Sequence, residues 1–469
     1  MSWFEYTRFF KCNEVLSRIT EIIWMEGNLM GTKNISFARA FLTSLAALLM
    51  TFSVSCSFPG HPGPSEVSRF CSGFEELRLT EVSQGPLFTV YENPGTIKVI
   101  HGSGTAKHDF IPDQSIIKVE QSLDIPEYAN KATIFLNGWK SSYLGDDDQN
   151  VVGIATLVGR IRLVDIRPGG RKLTWNAVGL LRDNDASESY EWSYYYTVIA
   201  WNDAALNVIV NHDDADNFCK AGTGGSDNFY FAQNKGTTTA LSSFSSFLQN
   251  LDFPPRGTVA ILPRGFGFAW DNDNNLLQLA YNFDHSENFV EYGKKYQKAF
   301  GDVSAPLPPP ISLANSGFVS WNTYSILKDN DLRRNYMFGE MVSALGGNDV
   351  GVLQPPFSIL PEEDHGTCAY MQYGGVKTEE FVIENVPFEY AIPMLTGWDL
   401  SYPCHDRNVK EIGIWIDEWN YVKDPAAPTG RLSYKLSSVL RDKDSDAAHY
   451  YSHKITILGL RPTAGVTRK

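Results

Sequence analysis

Three acidic turns are the segments of the chain best suited to chemistry. Each turn follows a leucine and a basic residue and contains two aspartates with one residue between them. Such carboxylates suit Ca²⁺, which takes about six to eight oxygen ligands. The alternatives are a hairpin turn, in which Asp and Asn bond local N–H groups, and direct contact with a sugar. No cofactor is required by the sequence, and the candidate calcium ligands are Asp183, Asp185, Asp329, Asp331, Asp442 and Asp444.

Aromatic residues beside acidic loops form a second set of candidates. An aromatic residue follows glycine in Gly138-Trp139 and Gly397-Trp398, a second aromatic comes four residues later, and a polar loop lies beyond it. An aromatic face suits the apolar side of a pyranose, but tryptophans after a strand also fill cores. We expect the second aromatics to be exposed, and the acidic loops are either ligand contacts or simply solvated. The candidate ligand-binding residues are Trp139, Tyr143, Asp147, Trp270, Trp398, Tyr402 and Asp406.

Catalytic signatures are missing from the sequence. It contains no Gly-x-Ser-x-Gly elbow, His-Glu-x-x-His helix, phosphate-binding glycine loop or Cys-x-x-Cys pair. His449 and His453 would share one face of a strand, which suits either a metal site or a row of packed rings. We therefore assign no catalytic residue, and a hydrolase with paired carboxylates stays an alternative.

These candidates recur because one block is present three times. Each copy has an apolar-proline opening, a glycine-aromatic pair, an asparagine-aliphatic pair and a closing acidic turn. Copies one and three have the same length, whereas copy two carries an insertion with helical spacing of aromatics and a proline-rich end. The landmarks are Gly138-Trp139, Gly265-Phe266 and Gly397-Trp398, and then Asn150-Val151, Asn275-Leu276 and Asn408-Val409.

The segments inside each copy are typical of β-strands. Short β-branched or apolar runs are separated by Gly-, Asn- and Asp-rich turns, which favours an all-β fold of three tandem antiparallel β-sandwich modules with minor helical insertions. We predict strands at 133–136, 194–199, 258–262, 412–416 and 454–458, and a helix within 237–251. The predicted boundaries are a leader at 1–55, a tether at 56–84, and modules at 85–235, 236–350 and 351–469.

The leader has the pattern of an export signal. Lys33 and Arg39 precede an apolar run from Phe41 to Val54 that ends at Ser55-Cys56, with Met30 or Met25 as the expected start. The run is shorter than the roughly 20 residues of a spanning helix. It resembles the signal of bacterial lipoproteins, which implies lipidation of Cys56 and an exported protein anchored at the outer membrane or cell surface. Ordinary secretion is the alternative.

The other cysteines suit disulfides in an exported protein. Cys71, Cys219, Cys368 and Cys404 follow the proposed anchor and form an even set. We expect Cys368 to pair with Cys404, because both lie in the last module. Buried free thiols are the alternative.

The charge balance limits the partners. The chain has 40 Lys and Arg against 54 Asp and Glu, a net charge of −14, without a basic stripe interleaved with aromatics. Nucleic-acid binding needs neutralised phosphates, so it is not expected. The same balance argues against a polybasic membrane patch, and we expect membrane contact through a lipid anchor.

Copies one and three also resemble the H-type lectins, in their Gly-Trp strand and in the Asn-aliphatic strand beyond it. In copy three the likeness lies in Leu395 to Asp399, then Arg407-Asn408-Val409, then a final aromatic-aliphatic strand. The resemblance implies six-stranded antiparallel sandwiches that bind sugars such as N-acetylgalactosamine and often assemble as trimers. We therefore expect a surface-anchored protein, not an enzyme, that binds a glycan or a surface protein and forms a homo-oligomer. A structural component of a surface assembly and a carbohydrate-active hydrolase are the alternatives.

Overall fold

The computed structural model describes most of the chain after residue 78. The described residues are 79–109, 116–145, 148–166, 170–183, 188–202, 206–210, 229–230, 243–252, 258–284, 318–328, 336–347, 350–355, 375–402, 407–443 and 449–460. Within these ranges every helix-or-strand element is a β-strand, and all strand pairs are antiparallel. The predicted all-β class is confirmed.

Each repeat supplies five strands, and shorter strands lie before and between the repeats. The N-terminal strands are β1 (Val82–Gln84), β2 (Phe88–Asn93) and β3 (Ile97–His108). Repeat 1 has β4 (Ile116–Ile125), β5 (Lys131–Tyr143), β6 (Val151–Ile166), β7 (Gly170–Arg182) and β8 (Tyr190–Trp201), followed by β9 (Leu206–Val210) and β10 (Phe229–Tyr230). Repeat 2 has β11 (Ser243–Asp252), β12 (Thr258–Asn274), β13 (Gln278–Asp284), β14 (Phe318–Lys328) and β15 (Tyr336–Gly347), followed by β16 (Val350–Leu353). Repeat 3 has β17 (Lys377–Val386), β18 (Tyr390–Ser401), β19 (Glu411–Val422), β20 (Gly430–Arg441) and β21 (Tyr450–Leu460).

The residue pattern of each strand matches its place in a sheet. β17 is the last strand of its sheet, and it is mostly exposed and carries three glutamates, as expected of an edge. β8 lies inside the same sheet and is buried along nearly its whole length, so it carries an almost unbroken run of aromatic and aliphatic residues. All five predicted strand segments fall inside strands of the structure.

The strands form three sheets, and each sheet takes strands from two repeats. Sheet 1 has the order β1-β3-β8-β5-β19-β20-β17, with β2 on β3. Sheet 2 has the order β10-β15-β12-β6-β7-β4, with β9 on β15, and sheet 3 has the order β11-β14-β13-β18-β21-β16. The structure therefore does not show three separate modules: the sheets cross both module boundaries predicted from the sequence.

The exchange of strands between repeats is cyclic. In every repeat the second strand pairs with the fifth, and the fourth lies between the first and the third. The third strand of each repeat then pairs with the second strand of another: β6 with β12, β13 with β18, and β19 with β5. Repeat 1 thus joins repeat 2, repeat 2 joins repeat 3, and repeat 3 joins repeat 1, which gives the chain a threefold internal arrangement.

Two predicted local features are wrong in their described parts. The helix predicted within 237–251 is replaced from Ser243 by β11, whose ten residues all pair with β14. Apolar residues at helical spacing do not outweigh a continuous ladder of partner strands. The tether predicted to reach residue 84 ends earlier, because β1 pairs with β3. The helix and proline segment predicted at the insertion of copy two lie outside the described residues.

Tyr390 of repeat 3 contacts the N-terminal strand β2. The Tyr390 ring stacks on Tyr91 with 3.9 Å between ring centroids. Its hydroxyl donates to the Val90 carbonyl at 3.0 Å and accepts from Trp419 Nε1 at 3.3 Å. β2 therefore joins a repeat nearly 300 residues away in sequence.

We expect Tyr390→Phe to lower the free energy of unfolding by about 1 kcal/mol, the usual value of one lost hydrogen bond. Hydrogen exchange should become faster at the β2 amides and stay unchanged in β12, far along the chain. Tyr434→Phe is the control, because its hydroxyl bonds His453 within repeat 3 and not a residue of β2. Equal exchange at β2 in both variants would contradict this role of Tyr390.

Candidate functional site

The glycine-aromatic pairs of the three repeats meet at the centre of the fold. The ring centroids of Trp139, Phe266 and Trp398 lie 5.1, 5.2 and 5.4 Å apart, so the three rings form a nearly equilateral triangle. All three side chains are buried. Trp139 and Trp398 are therefore core residues, and as ligand contacts they are inaccessible in this structure.

The glycine before each aromatic lies where two repeats join. Gly138 pairs with Trp415, Gly265 with Leu157 and Gly397 with Asn282. A β-carbon on Gly138 would lie 2.2 Å from the Trp415 Cβ, and one on Gly265 would lie 2.4 Å from the Leu157 Cβ. Each glycine also follows a break in the ladder register within its own repeat. The repeated glycine is thus required for close approach of neighbouring strands.

The asparagine-aliphatic pairs close a ring of three bridges. Val151 pairs with Asn274, Leu276 with Arg407, and Val409 with Gln149, so each repeat contacts the next at the equivalent position. The Val409 amide donates to the Gln149 carbonyl at 2.8 Å, and the Leu276 amide donates to the Arg407 carbonyl at 2.8 Å. This bridge ring is the second motif that the fold uses to join repeats.

The second aromatics do not have the exposure that the sequence suggests. Tyr143 and Tyr402 are buried. Their amides bond the next repeat, Tyr143 to the Lys410 carbonyl at 3.0 Å and Tyr402 to the Leu277 carbonyl at 2.9 Å. The expectation of exposed loop aromatics is wrong, because both tyrosines pack beside the bridge ring. Trp270 lies in β12 opposite Tyr336, and its side chain is outside the described residues.

The described aspartates of the acidic turns, Asp183 and Asp442, are buried. Asp442 Oδ2 accepts from Arg407 Nη1 at 2.5 Å. Asp148 Oδ2 accepts from the Lys443 amide at 3.2 Å. The Arg407 guanidinium therefore binds Asp442, where the calcium hypothesis would place a metal ion. Among the described residues no three His, Cys, Asp or Glu side chains are grouped for a metal ion. Asp147, Asp185, Asp329, Asp331, Asp406 and Asp444 lie outside them.

The two histidines of the last strand region pack in a row of rings. His453 Nε2 is 2.8 Å from the Tyr434 hydroxyl, and His449 Nε2 is 3.0 Å from Ser438 Oγ. Tyr451 lies between them, 6.3 Å from each ring centroid. Burial lowers the pKa of His453 to about 4, and burial with nearby Lys377 lowers the pKa of His449 to about 3. The row is a packed, neutral part of the core, as the ring interpretation predicts.

A polar and aromatic face lies where repeat 3 joins repeat 1, and the sequence reasoning missed it. Ile414 and Ile416 point into the core, so Trp415 between them points to the opposite side of sheet 1. The Trp415 and Tyr195 rings stack across Gly138 with 5.2 Å between centroids and 11° between planes. We call this surface the junction face; its residues are Lys140, Tyr195, Glu411, Trp415, Asp417 and Ser437.

Hydrogen bonds order the junction face. Trp415 Nε1 donates to Asp417 Oδ1 at 2.6 Å, and Ser437 Oγ donates to Asp417 Oδ2 at 2.5 Å. Burial, and then the charge of Asp417, raises the pKa of Tyr195, so this phenol stays neutral. Trp415 is 6% exposed, whereas Tyr195 and Asp417 are half-buried. The face therefore offers the ring and hydroxyl of Tyr195 beside the fixed carboxylate of Asp417, with Trp415 largely buried against Tyr195.

An ion-pair cluster borders the junction face. Glu411 on β19 accepts from Lys140 Nζ of β5 at 2.5 Å and from Arg441 Nε at 2.5 Å. Burial alone would raise the pKa of Glu411, but the two cations outweigh burial and lower it. Lys140 Nζ is also 5.9 Å from the Trp415 ring centroid. The cluster thus links repeats 1 and 3 electrostatically. In the sequence, only the glycine at position 138 inside a strand segment indicated a close approach at this junction.

We expect Glu411→Gln to lower the free energy of unfolding by about 2 kcal/mol, because it leaves two cations at a partly buried junction without their carboxylate. Urea unfolding at neutral pH measures the loss. Glu384→Gln is the matched control, since the Glu384–Arg431 pair is more than half exposed on both sides and should change stability by less than about 0.5 kcal/mol. Equal effects of the two substitutions would show that the junction cluster does not hold the repeats together.

The predicted leader and all the cysteines lie outside the described residues, so the proposals for Cys56, Cys71, Cys219, Cys368 and Cys404 stay predictions. Nowhere in the described ranges is there a helix with the length and apolar character needed to cross a membrane.

The fold and the junction face define an all-β chain whose three repeats exchange strands in a cycle and carry a polar-aromatic face at one repeat boundary. No family model matches the chain, and no curated protein or solved structure matches it either.

Proposed function

We propose that this chain is an exported, surface-anchored binding protein, not an enzyme, that recognises a glycan through the junction face. The observation that carries the proposal is the pairing of Tyr195 and Trp415 beside the hydrogen-bonded Asp417. Aromatic carbon together with fixed polar groups suits a sugar ring, which has apolar C–H faces and a rim of hydroxyls.

The repeated motifs join the repeats to one another, so we expect the ligand site to lie outside them. The glycine-aromatic triangle and the bridge ring are buried and join the repeats. Their recurrence is explained by assembly, so the ligand site is expected at a feature that differs between repeats. The junction face differs in this way, because the residues equivalent to Trp415 are Leu157 and Asn282.

The lectin-like interpretation gains support from the cyclic arrangement. H-type lectins, which copies one and three resemble, often assemble as trimers, and here three copies in one chain exchange strands in a cycle. The export and anchoring part of the proposal rests on the apolar run and Cys56 of the leader. A homo-oligomer of the whole chain is not needed to bring three repeats together.

A glycan array probed with the full chain tests the proposal. Asp417→Asn keeps an acceptor for Trp415 Nε1 but removes the charge, and Lys140→Ala removes a cation at the rim of the face. We expect each to weaken glycan binding at least about tenfold, the value of one charged hydrogen bond. Lys98→Ala, which removes a partly exposed ion pair with Glu92 away from the junction face, is the control and should bind like the wild type.

Two other outcomes would favour the other candidate functions. Binding to no sugar by the folded wild type would favour a structural component of a surface assembly, for which the exposed edge strand β17 is the specific observation. Turnover of a bound glycan, lost on changing a single acidic residue, would favour a hydrolase.

A further inference from the structure

The hairpins that end β6 and β19 carry exposed aliphatic side chains at equivalent positions. Leu157 and Trp415 are equivalent positions, because each pairs with the repeat glycine of another repeat. Val164 lies seven residues after Leu157, and Val422 lies seven residues after Trp415. Val164 is 44% exposed, Ile166 is 41% exposed and Val422 is 60% exposed. We call residues 162–166 with 170–172, and 420–422 with 430–431, the hairpin tips.

Each exposed valine faces a cation across its hairpin. Val164 pairs with Lys172, and Val422 pairs with Arg431, again at equivalent positions of the two repeats. Arg162, Val164 and Ile166 alternate along β6 and therefore point to the same side. Along this side of β6, Arg162 comes first, and Val164 and Ile166 follow toward the end of the hairpin.

Lys172 and Arg431 of the tips remain open to an anionic partner, whereas Arg171 is paired with Asp165 of the same tip. Lys172 Nζ is 3.8 Å from Asp124, whose side chain is 84% exposed. Arg431 Nε is 3.2 Å from Glu384, and both of these side chains are more than half exposed. Ion pairs this exposed contribute little to stability, so a competing anion can easily replace the aspartate or glutamate in them.

Both tips lie at the same end of the fold. β6 begins at Val151 in the bridge ring, and β19 begins at Glu411, two residues beyond Val409 of that ring. The two strands run away from the ring, so their far ends are at the end opposite to it. The tips thus belong to one surface, separate from the acidic turns.

We propose that the hairpin tips contact an anionic lipid surface, with Val164, Ile166 and Val422 between the headgroups and Lys172 and Arg431 at the phosphates. Aliphatic side chains beside long cationic ones match the boundary of a bilayer, because Lys and Arg can extend outward to the phosphates while the aliphatic side chains stay inward. An acidic polysaccharide would satisfy the cations but leave the aliphatic side chains in water. The inference rests on the proposed location at a membrane surface and is independent of glycan binding.

Photolabelling from lipid provides the test. The full chain is mixed with phosphatidylcholine vesicles, with or without phosphatidylglycerol, that carry a photoreactive lipid, and the labelled peptides are identified by mass spectrometry. We expect label in the peptides of both tips, several-fold stronger on the anionic vesicles. The combined substitution Val164→Asp and Val422→Asp should reduce tip labelling at least about fivefold, since each like charge near such a surface costs about that factor.

Val376→Asp is the matched control, because Val376 is equally exposed but lies outside the tips, and tip labelling should persist. Circular dichroism shows whether each variant is folded. Absence of tip label while the leader region is labelled would overturn the inference, as would equal labelling of the tips by neutral and anionic vesicles. Binding of a soluble acidic polysaccharide by the tips without lipid label would also overturn it. A negative glycan array would leave this inference standing.

Discussion

Gly138→Val should lower the free energy of unfolding by more than about 4 kcal/mol, a loss reached only by severe core disruption. The new β-carbon would lie 2.2 Å from the Trp415 Cβ and 2.3 Å from its Cα, both part of a neighbouring strand that has little room to move. Gly138 also has φ +147, which side chains rarely adopt. Relief of the clash requires β5 and β19 to separate, and with them repeats 1 and 3.

The equivalent glycines give an internal ranking for this prediction. Gly265→Val should be nearly as harmful, because its β-carbon would meet Leu157 Cβ and Cα at 2.4 and 2.6 Å. Gly397→Val should cost less, since the first atom in its way is the side-chain oxygen of Asn282. Gly375→Val is the control, with nothing within 4 Å, and should stay within about 0.5 kcal/mol of the wild type. Denaturant unfolding measures all four, and a harmless Gly138→Val would contradict the close approach of the repeats.

Mild acid should destabilise the fold through three buried histidines. The pKa of His101 is lowered by burial to about 4, that of His449 to about 3 and that of His453 to about 4. In the unfolded chain these groups titrate near 6.5. Below that pH the unfolded state therefore binds protons, whereas the buried histidines of the folded state stay neutral. Their contribution to stability is therefore complete above pH 6.5 and is lost progressively as the pH falls toward 4.

At pH 5 each histidine should have reduced the free energy of unfolding by about 2 kcal/mol, and the three together by about 6 kcal/mol. The carboxylate Glu411 has a lowered pKa and loses its contribution only below its ordinary value of 4.5, so the window from 6.5 to 5 belongs to the histidines. Urea unfolding at a series of pH values measures the slope. His453→Gln, which keeps a hydrogen-bond partner for Tyr434, should reduce the slope by about a third. A flat profile between pH 7.5 and 5 would refute the prediction.

The all-β class and the threefold repeat were predictable because both are local properties of the sequence. Short β-branched or apolar runs bounded by turn residues identify strands such as β8 and β19 without knowledge of their partners. Partner choice is not local. A strand with period-two patterning pairs equally well with its own repeat or the next one, so the exchange of β6, β13 and β19 had no signal in periodicity alone.

The candidate site was misplaced for a related reason. A glycine followed by tryptophan is compatible with a sugar platform and with a close-packed centre, and only the position of the neighbouring repeat separates the two. Tyr143 and Tyr402 were expected in open loops because polar residues surround them, but their amides bond another repeat. Trp415 was overlooked because its importance comes from Gly138, far away in the sequence.

The pairing of β19 with β5 also has a consequence for how the molecule is made. The partner that completes sheet 1 beside β5 is synthesised only after most of the chain has left the ribosome. Until then β5 presents an unpaired, largely apolar flank, which invites pairing with other chains. With export as we propose it, such a chain benefits from staying unfolded during transport and from pairing β19 with β5 only after the last repeat has been translocated.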